Sequence, residues 1–121
     1  MNFEEIEKYA LTKPYVNTDV KWESVYCFCV FDKIFLMMHI DQSPSSLTLK
    51  AKAEKLDMLL EIPGIDRAAY LGRYHWITID NSGNFRPEFL KNLIDESFCL
   101  IVQKLPLKKR RMLDRHLVKK N

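Results

Sequence analysis

The sequence predicts an α+β domain of two layers, an antiparallel sheet with its helices on one face. Three observations carry that prediction. Apolar residues recur at helical spacing near both ends of the chain and once in its middle. The intervening stretches are rich in aromatic and β-branched residues, as strands are. The connections between successive strands are short, which favours a meander over parallel crossovers. At 121 residues, 47% of them hydrophobic, the chain can fill one core but not two.

Taken in order, the first helix is predicted from Phe3 to Leu11. Asn2 can cap it, and Glu5, three residues later, can reach back to close a capping box. Phe3, Ile6, Tyr9 and Ala10 give it an apolar stripe, Glu4 and Glu5 sit where the helix dipole favours negative charge, and Pro14 stops it. From about Val20 to Leu49 the pattern gives three or four strands. Val25 to Phe31 and Ile34 to Ile40 are the strongest, and the polar pair Asp32-Lys33 between them suits a two-residue hairpin turn. Ser46 to Lys50 follows after the break at Gln42 to Ser45. A second helix spans about Ala51 to Leu60, with Ala53, Leu56, Leu59 and Leu60 on one side, and Pro63-Gly64 ends it. Residues 65–74 read as an irregular loop, in which Gly72 allows a left-handed turn. A further strand covers His75 to Asp80. The last long helix starts near Pro87, a residue suited to the first helical position, and packs through Phe89, Leu90, Leu93, Ile94, Phe98, Ile101 and Leu105. Pro106 interrupts it before a short basic helix, about Leu107 to Leu117. The chain thus divides into one domain, residues 1–106, and a basic C-terminal segment, residues 107–121.

Several stretches carry a resemblance to a known family. They are the hairpin at Lys33 followed by Ile34-Phe35, Leu47 to Lys50, Tyr70 to Ile79, and Ser97 to Pro106. In this order and spacing they resemble the MmcQ/YjbR family of small bacterial proteins, over roughly Phe3 to Arg110. The resemblance implies an order α, three or four β, α, one or two β, α, with an architecture similar to type III secretion chaperones and, more loosely, to CyaY and other frataxin-like proteins. It also implies a DNA-binding role in which loops of the sheet act as wings. One departure is Asp32, where the family commonly has Gly, and it sets an acid at the hairpin tip.

Composition narrows the function. No apolar run approaches the ~20 residues that span a bilayer, and the acidic start, Met1 to Glu5, is unlike a signal peptide, so a soluble cytoplasmic protein is expected. Cys27, Cys29 and Cys99 are odd in number and lack a C-x-x-C pair, so they read as small buried apolar residues rather than a disulfide or metal framework. His39, His75 and His116 have no ligand-like spacing, and His39 with Asp41 reads as a surface pair at a strand end. Ser97 is flanked by Glu96 and Cys99, yet residues two apart on a helix do not face each other. It reads as a small residue that lets the helix approach the sheet. Phosphate-binding glycine loops, nucleophile elbows and zinc-protease motifs are missing from the sequence. No enzyme activity, metal or cofactor is therefore expected.

Charge is the remaining signal. The net charge is +3, but Lys104 to Asn121 hold eight Lys/Arg against the single acid Asp114, so this end carries +7 and the rest −4. Such a segment attracts polyanions in a salt-dependent way; solubility and compensation of a helix dipole would produce the same pattern. Tyr70 to Trp76 adds Arg73 and flat side chains to this charge, near Lys50 and Arg67. Trp76 to Ile79 suit a strand, which leaves Arg73 and Tyr74 for contact. The candidate DNA-binding residues are Lys33, Lys50, Arg73, Tyr74, Lys104, Lys108, Lys109, Arg110 and Arg111. A protein-binding adaptor is the alternative, if Phe35, Met37 and Met38 leave an apolar sheet face uncovered. A small enzyme or ligand-binding protein is a third, if a pocket gathers His39 or His75 with an acid.

Overall fold

A computed structural model describes the backbone of residues 1–21, 24–40, 46–69, 74–80 and 84–120, and the side chains of all of these but 20, 21 and 116–120. The chain runs through α1 (Phe3–Leu11), β1 (Val16–Lys21), β2 (Val25–Val30), β3 (Lys33–His39) and β4 (Ser46–Lys50). A turn of 3-10 helix (Ala53–Lys55) leads into α2 (Leu56–Leu60), then β5 (Ile65–Arg67), β6 (Trp76–Ile79), α3 (Pro87–Val102) and α4 (Leu107–Lys120). The six strands form one sheet in the order β1-β2-β3-β4-β6-β5, and every neighbouring pair is antiparallel.

Local chemistry explains the boundaries. Asn2 Oδ1 accepts the Glu5 N–H at 2.8 Å while Glu5 Oε1 accepts the Asn2 N–H at 3.3 Å, the predicted capping box. Pro87 occupies the start of α3. Gly64 has φ +92°, a conformation that favours glycine, and there the chain turns from α2 into β5.

Several boundaries differ from the sequence reading: α3 stops at Val102, short of Leu105, and the basic helix after it runs on to Lys120 rather than Leu117. β1 begins at Val16 rather than near Val20, because its polar run Asn17-Thr18-Asp19 masks an edge strand. Val30 pairs with Lys33, so the hairpin turn is Phe31-Asp32 and not Asp32-Lys33. Both turn residues have positive φ, 47° and 66°, as a type I′ turn requires. β5 lies inside the expected loop as a three-residue edge strand. The second helix opens as 3-10, and its Ala53 is exposed rather than packed.

Alternation along the strands separates the two faces. Tyr26, Phe28, Val30, Leu36, Met38, Leu47, Leu49, Ile77 and Ile79 meet the helical layer of Ile6, Ala10, Leu56, Leu59, Leu90, Leu93 and Ile94. Full burial of each large apolar side chain contributes about 1.5–3 kcal/mol. Leu105 and Leu113 join this core, so α4 is docked on the domain. Val25, Cys27, Cys29 and Met37 form a smaller cluster with Ile34 and Trp76. Phe35, Met37 and Met38 are all buried, so the uncovered apolar face an adaptor would need is not formed by them. Cys27 and Cys29 are buried as expected, but Cys99 is exposed.

A bulge decides how α3 meets the sheet. The β2–β3 register shifts between Phe28 and Cys29, so that Phe35 and Leu36 both enter the core. The Phe35 ring packs edge-on against Phe98 of α3, with centroids 5.3 Å apart. Beyond Leu36↔Leu49 the β3–β4 pairing stops. There the Ser97 hydroxyl donates to the Phe35 carbonyl at 2.6 Å and accepts the Lys50 N–H at 3.0 Å. Ser97 is fully buried and replaces a missing rung of the ladder, a more specific role than its small size implied.

Candidate anion-binding end of the sheet

Antiparallel pairing brings alternate strand ends together. The starts of β1, β3 and β6 and the ends of β2, β4 and β5 therefore share one end of the sheet, marked by Val16, Lys33, Trp76, Val30, Lys50 and Arg67. The C-terminal part of α3 and the start of α4 arrive at the same end. Lys33 and Ile34 line a cavity of about 340 Å³ with Ile101, Lys104 and Leu105. The Lys109 ammonium lies over the Phe31 ring, 5.6 Å from its centroid. Tyr74, exposed, stands two residues before Trp76, and the His75 carbonyl accepts the Ala51 N–H at 2.9 Å.

Of the sequence candidates, Lys33, Lys50, Tyr74, Lys104 and Lys109 are thus gathered at one end. Lys108 and Arg111 belong to a stripe along α4 that, with Leu107, Met112 and Arg115, lines a groove of about 400 Å³. Arg110 is half-buried, and its Nε is enclosed without a hydrogen-bond partner among the described residues. Arg73 lies outside the described residues.

Electrostatics make this end unusual. Lys50 is 9% exposed, and its ammonium is pushed down to about 8 by burial and by the neighbouring Lys104. Nearby lysines are compensated: Lys52 and Lys55 share Glu96, and Lys13 pairs with Asp95 at 2.5 Å. Among the described residues no carboxylate pairs with Lys33, Lys50 or Lys104. Withdrawing a charge from water is costly unless an opposite charge meets it. Like charges held together without an acid therefore favour a bound anion.

Backbone strain collects at the same place. The four non-glycine residues of positive φ among those described are Tyr15 (59°), Phe31 (47°), Asp32 (66°) and His75 (69°), and all four adjoin this end of the sheet. Each such residue costs about 1–3 kcal/mol unless its side chain relieves the strain, as Asp can. Tyr15 and Phe31 stack with centroids 4.9 Å apart and planes 22° from parallel. Sequence reasoning missed this pair. Its signal is an aromatic residue in a two-residue hairpin slot that glycine or asparagine normally fills.

Catalytic arrangements are sparse. His39 Nε2 is 3.4 Å from Thr48 Oγ1, and Thr48 Oγ1 is 3.1 Å from Thr78 Oγ1. Asp41, its expected partner, lies outside the described residues. His75 occupies the turn before β6. Ser97 has both hydrogen bonds committed to the backbone. No group of three His, Cys, Asp or Glu side chains among the described residues could hold a metal ion. No helix among them is long and apolar enough to cross a membrane.

Comparison with known proteins matches this architecture. The family model described as YjbR matches residues 11–100. A crystal structure of the Deinococcus radiodurans protein DR2400, with a DUF419 domain, superposes with a TM-score of 0.82 at 20% identity, covering 93% of this chain and 88% of that one. A Pseudomonas syringae protein in its crystal structure gives 0.69 at 26% identity, covering 83% of this chain and 98% of that one. A solution structure from the same organism gives 0.67 at 26% identity, with 83% and 92% covered. No curated protein matches.

Proposed function

Because the chain belongs to the YjbR family, and because its uncompensated lysines gather at one end of the sheet, we propose that it is a non-catalytic protein that binds DNA through that end. The observation that carries the reading is the juxtaposition of Lys33, Lys50 and Lys104 without a pairing acid among the described residues. Phosphate is the natural complement of such a cluster, and α4, which begins beside it, extends the positive field along Lys108, Arg111 and Arg115. Neutralisation by this cluster supplies attraction and position but no base readout.

The test is a fluorescence-anisotropy titration with mixed-sequence duplexes as salt is raised. Each phosphate contact contributes about −0.9 to the log–log slope, so Lys33→Ala or Lys104→Ala is expected to reduce the slope by about one unit. Substitution of Lys108, Arg111 and Arg115 together should weaken binding of all sequences alike. An absence of saturable binding at low salt, up to about 100 μM protein, would sink the proposal. If only the α4 substitutions weaken binding, the sheet end is not the site.

A further inference from the structure

We propose that the cavity between Lys33 and Lys104 is a socket for a phosphate monoester, so that nucleic acid is held at this end of the sheet by a phosphorylated strand end. This inference rests on the nucleic-acid reading above for the source of the phosphate, and adds which phosphate is held.

The socket is built from β3, β4 and the end of α3. Lys33 and Ile34 open β3, Ile101 lies in the last turn of α3, and Lys104 and Leu105 follow that helix. Together they line about 340 Å³, at the small end of the range for ligand pockets. Lys50, the last residue of β4, sets a third ammonium beside that of Lys104. The backbone under each lysine is fixed. Lys33 pairs with Val30 in the hairpin, the Lys50 N–H donates to the Ser97 hydroxyl at 3.0 Å, and the Lys104 N–H donates to the Ile101 carbonyl at 3.1 Å.

Charge and shape both select a terminal phosphate over an internal one. An internal phosphodiester carries one negative charge and two free oxygens, and the strand leaves it on both sides. A terminal monoester approaches two charges at neutral pH, because its second pKa is about 6, and it presents three acceptor oxygens. Lysine ammoniums are compact charges whose donors rotate to suit the acceptor, so three of them match three oxygens. The apolar walls Ile34, Ile101 and Leu105 limit the water that would screen this contact. A cavity of this size admits a strand end head-on, whereas a continuous strand would have to enter and leave it. The empty socket also carries a cost that a dianion removes. Lys50 is 9% exposed, and among the described residues no carboxylate pairs with it, with Lys33 or with Lys104. Burial and then the Lys104 ammonium draw Lys50 down to about 8, the direction expected of a cation short of counter-charge.

The experiment uses a short duplex closed at one end by a fluorescent hairpin loop, so that a single open end carries a 5′-phosphate, a 3′-phosphate or neither. Each is titrated by anisotropy with the full-length chain at fixed low salt, beside an unphosphorylated duplex one base pair longer that matches the added charge. The terminal phosphate is expected to tighten binding about tenfold over both unphosphorylated duplexes. Lys33→Ala and Lys104→Ala, both at exposed positions, are each expected to bring that ratio towards one. A preference for the 5′ or the 3′ phosphate identifies the strand end and supports the inference in either case. A free nucleoside 5′-monophosphate is expected to compete away the gain that the terminal phosphate gives. Equal binding of the phosphorylated and the charge-matched duplexes overturns the inference and leaves the DNA reading standing. If no duplex binds while the monophosphate raises the Tm of the chain, and Lys104→Ala removes the rise, the DNA reading falls and the monoester socket stands with a small molecule as its source. Failure of the duplexes and the monophosphate together overturns both.

Discussion

Replacing Ser97 with alanine tests the link between fold and site. The Ser97 hydroxyl satisfies two buried backbone groups, the Phe35 carbonyl and the Lys50 N–H. Alanine fits the same space but leaves both without partners, and each unsatisfied buried group costs about 1–3 kcal/mol. Partial relaxation, or a water admitted at the gap, lowers the sum, so a loss of about 2–4 kcal/mol is expected. That is a large share of the 5–15 kcal/mol typical of a domain. With an unfolding entropy of about 2.1 cal/mol/K per residue, it corresponds to a fall in Tm of roughly 8–16 °C. Urea unfolding followed by circular dichroism measures the change, with Cys99→Ser as a neighbouring control expected to stay within about 0.5 kcal/mol. A loss below about 1 kcal/mol for Ser97→Ala, at unchanged m-value, would refute the claim that this hydroxyl replaces a rung of the ladder.

The ionisable groups give two more expectations. Lys50 titrates near 8 in the folded chain, below its ordinary 10.5, so between these values the unfolded chain binds more protons. Stability should therefore rise with pH across that window, and Lys50→Met should remove this contribution; a slope unchanged by the substitution would count against the buried lysine. Tyr9 donates to Asp95 Oδ1 at 2.6 Å, and burial, then this bond and the charge of Asp95, push its phenol up to about 12. Its stabilisation is complete below pH 10 and lost as pH rises through 12, so an absorbance titration should show one tyrosine ionising last, and Tyr9→Phe should erase that step.

How much of this was legible in the sequence depends on the kind of residue that carries each feature. The Asn2–Glu5 box and Pro87 act within one turn of chain, and their effects follow from neighbours in sequence. The start of β1 is hidden in the sequence because Asn17, Thr18 and Asp19 form a polar run in an edge strand. Phe31 reads as the end of a strand, since hydrophobicity does not record that a residue has entered a turn. Lys33, Lys50 and Lys104 could be named as candidates, but their mutual approach depends on the antiparallel register and on where α3 ends. The bulge at Phe28/Cys29 has no local signature, and the role of Ser97 follows from it.

The Phe31-Asp32 turn has a consequence for how this domain can change. Asn-Gly at those positions would hold the same backbone with less strain and would be the first choice of anyone raising its melting temperature. The same exchange would dismantle the ring pile that Phe31 shares with Tyr15 and Lys109. Heat tolerance and the packing of the hairpin tip thus select different residues at one turn. A relative that carries Asn-Gly there would be expected to be the sturdier molecule with the barer hairpin tip.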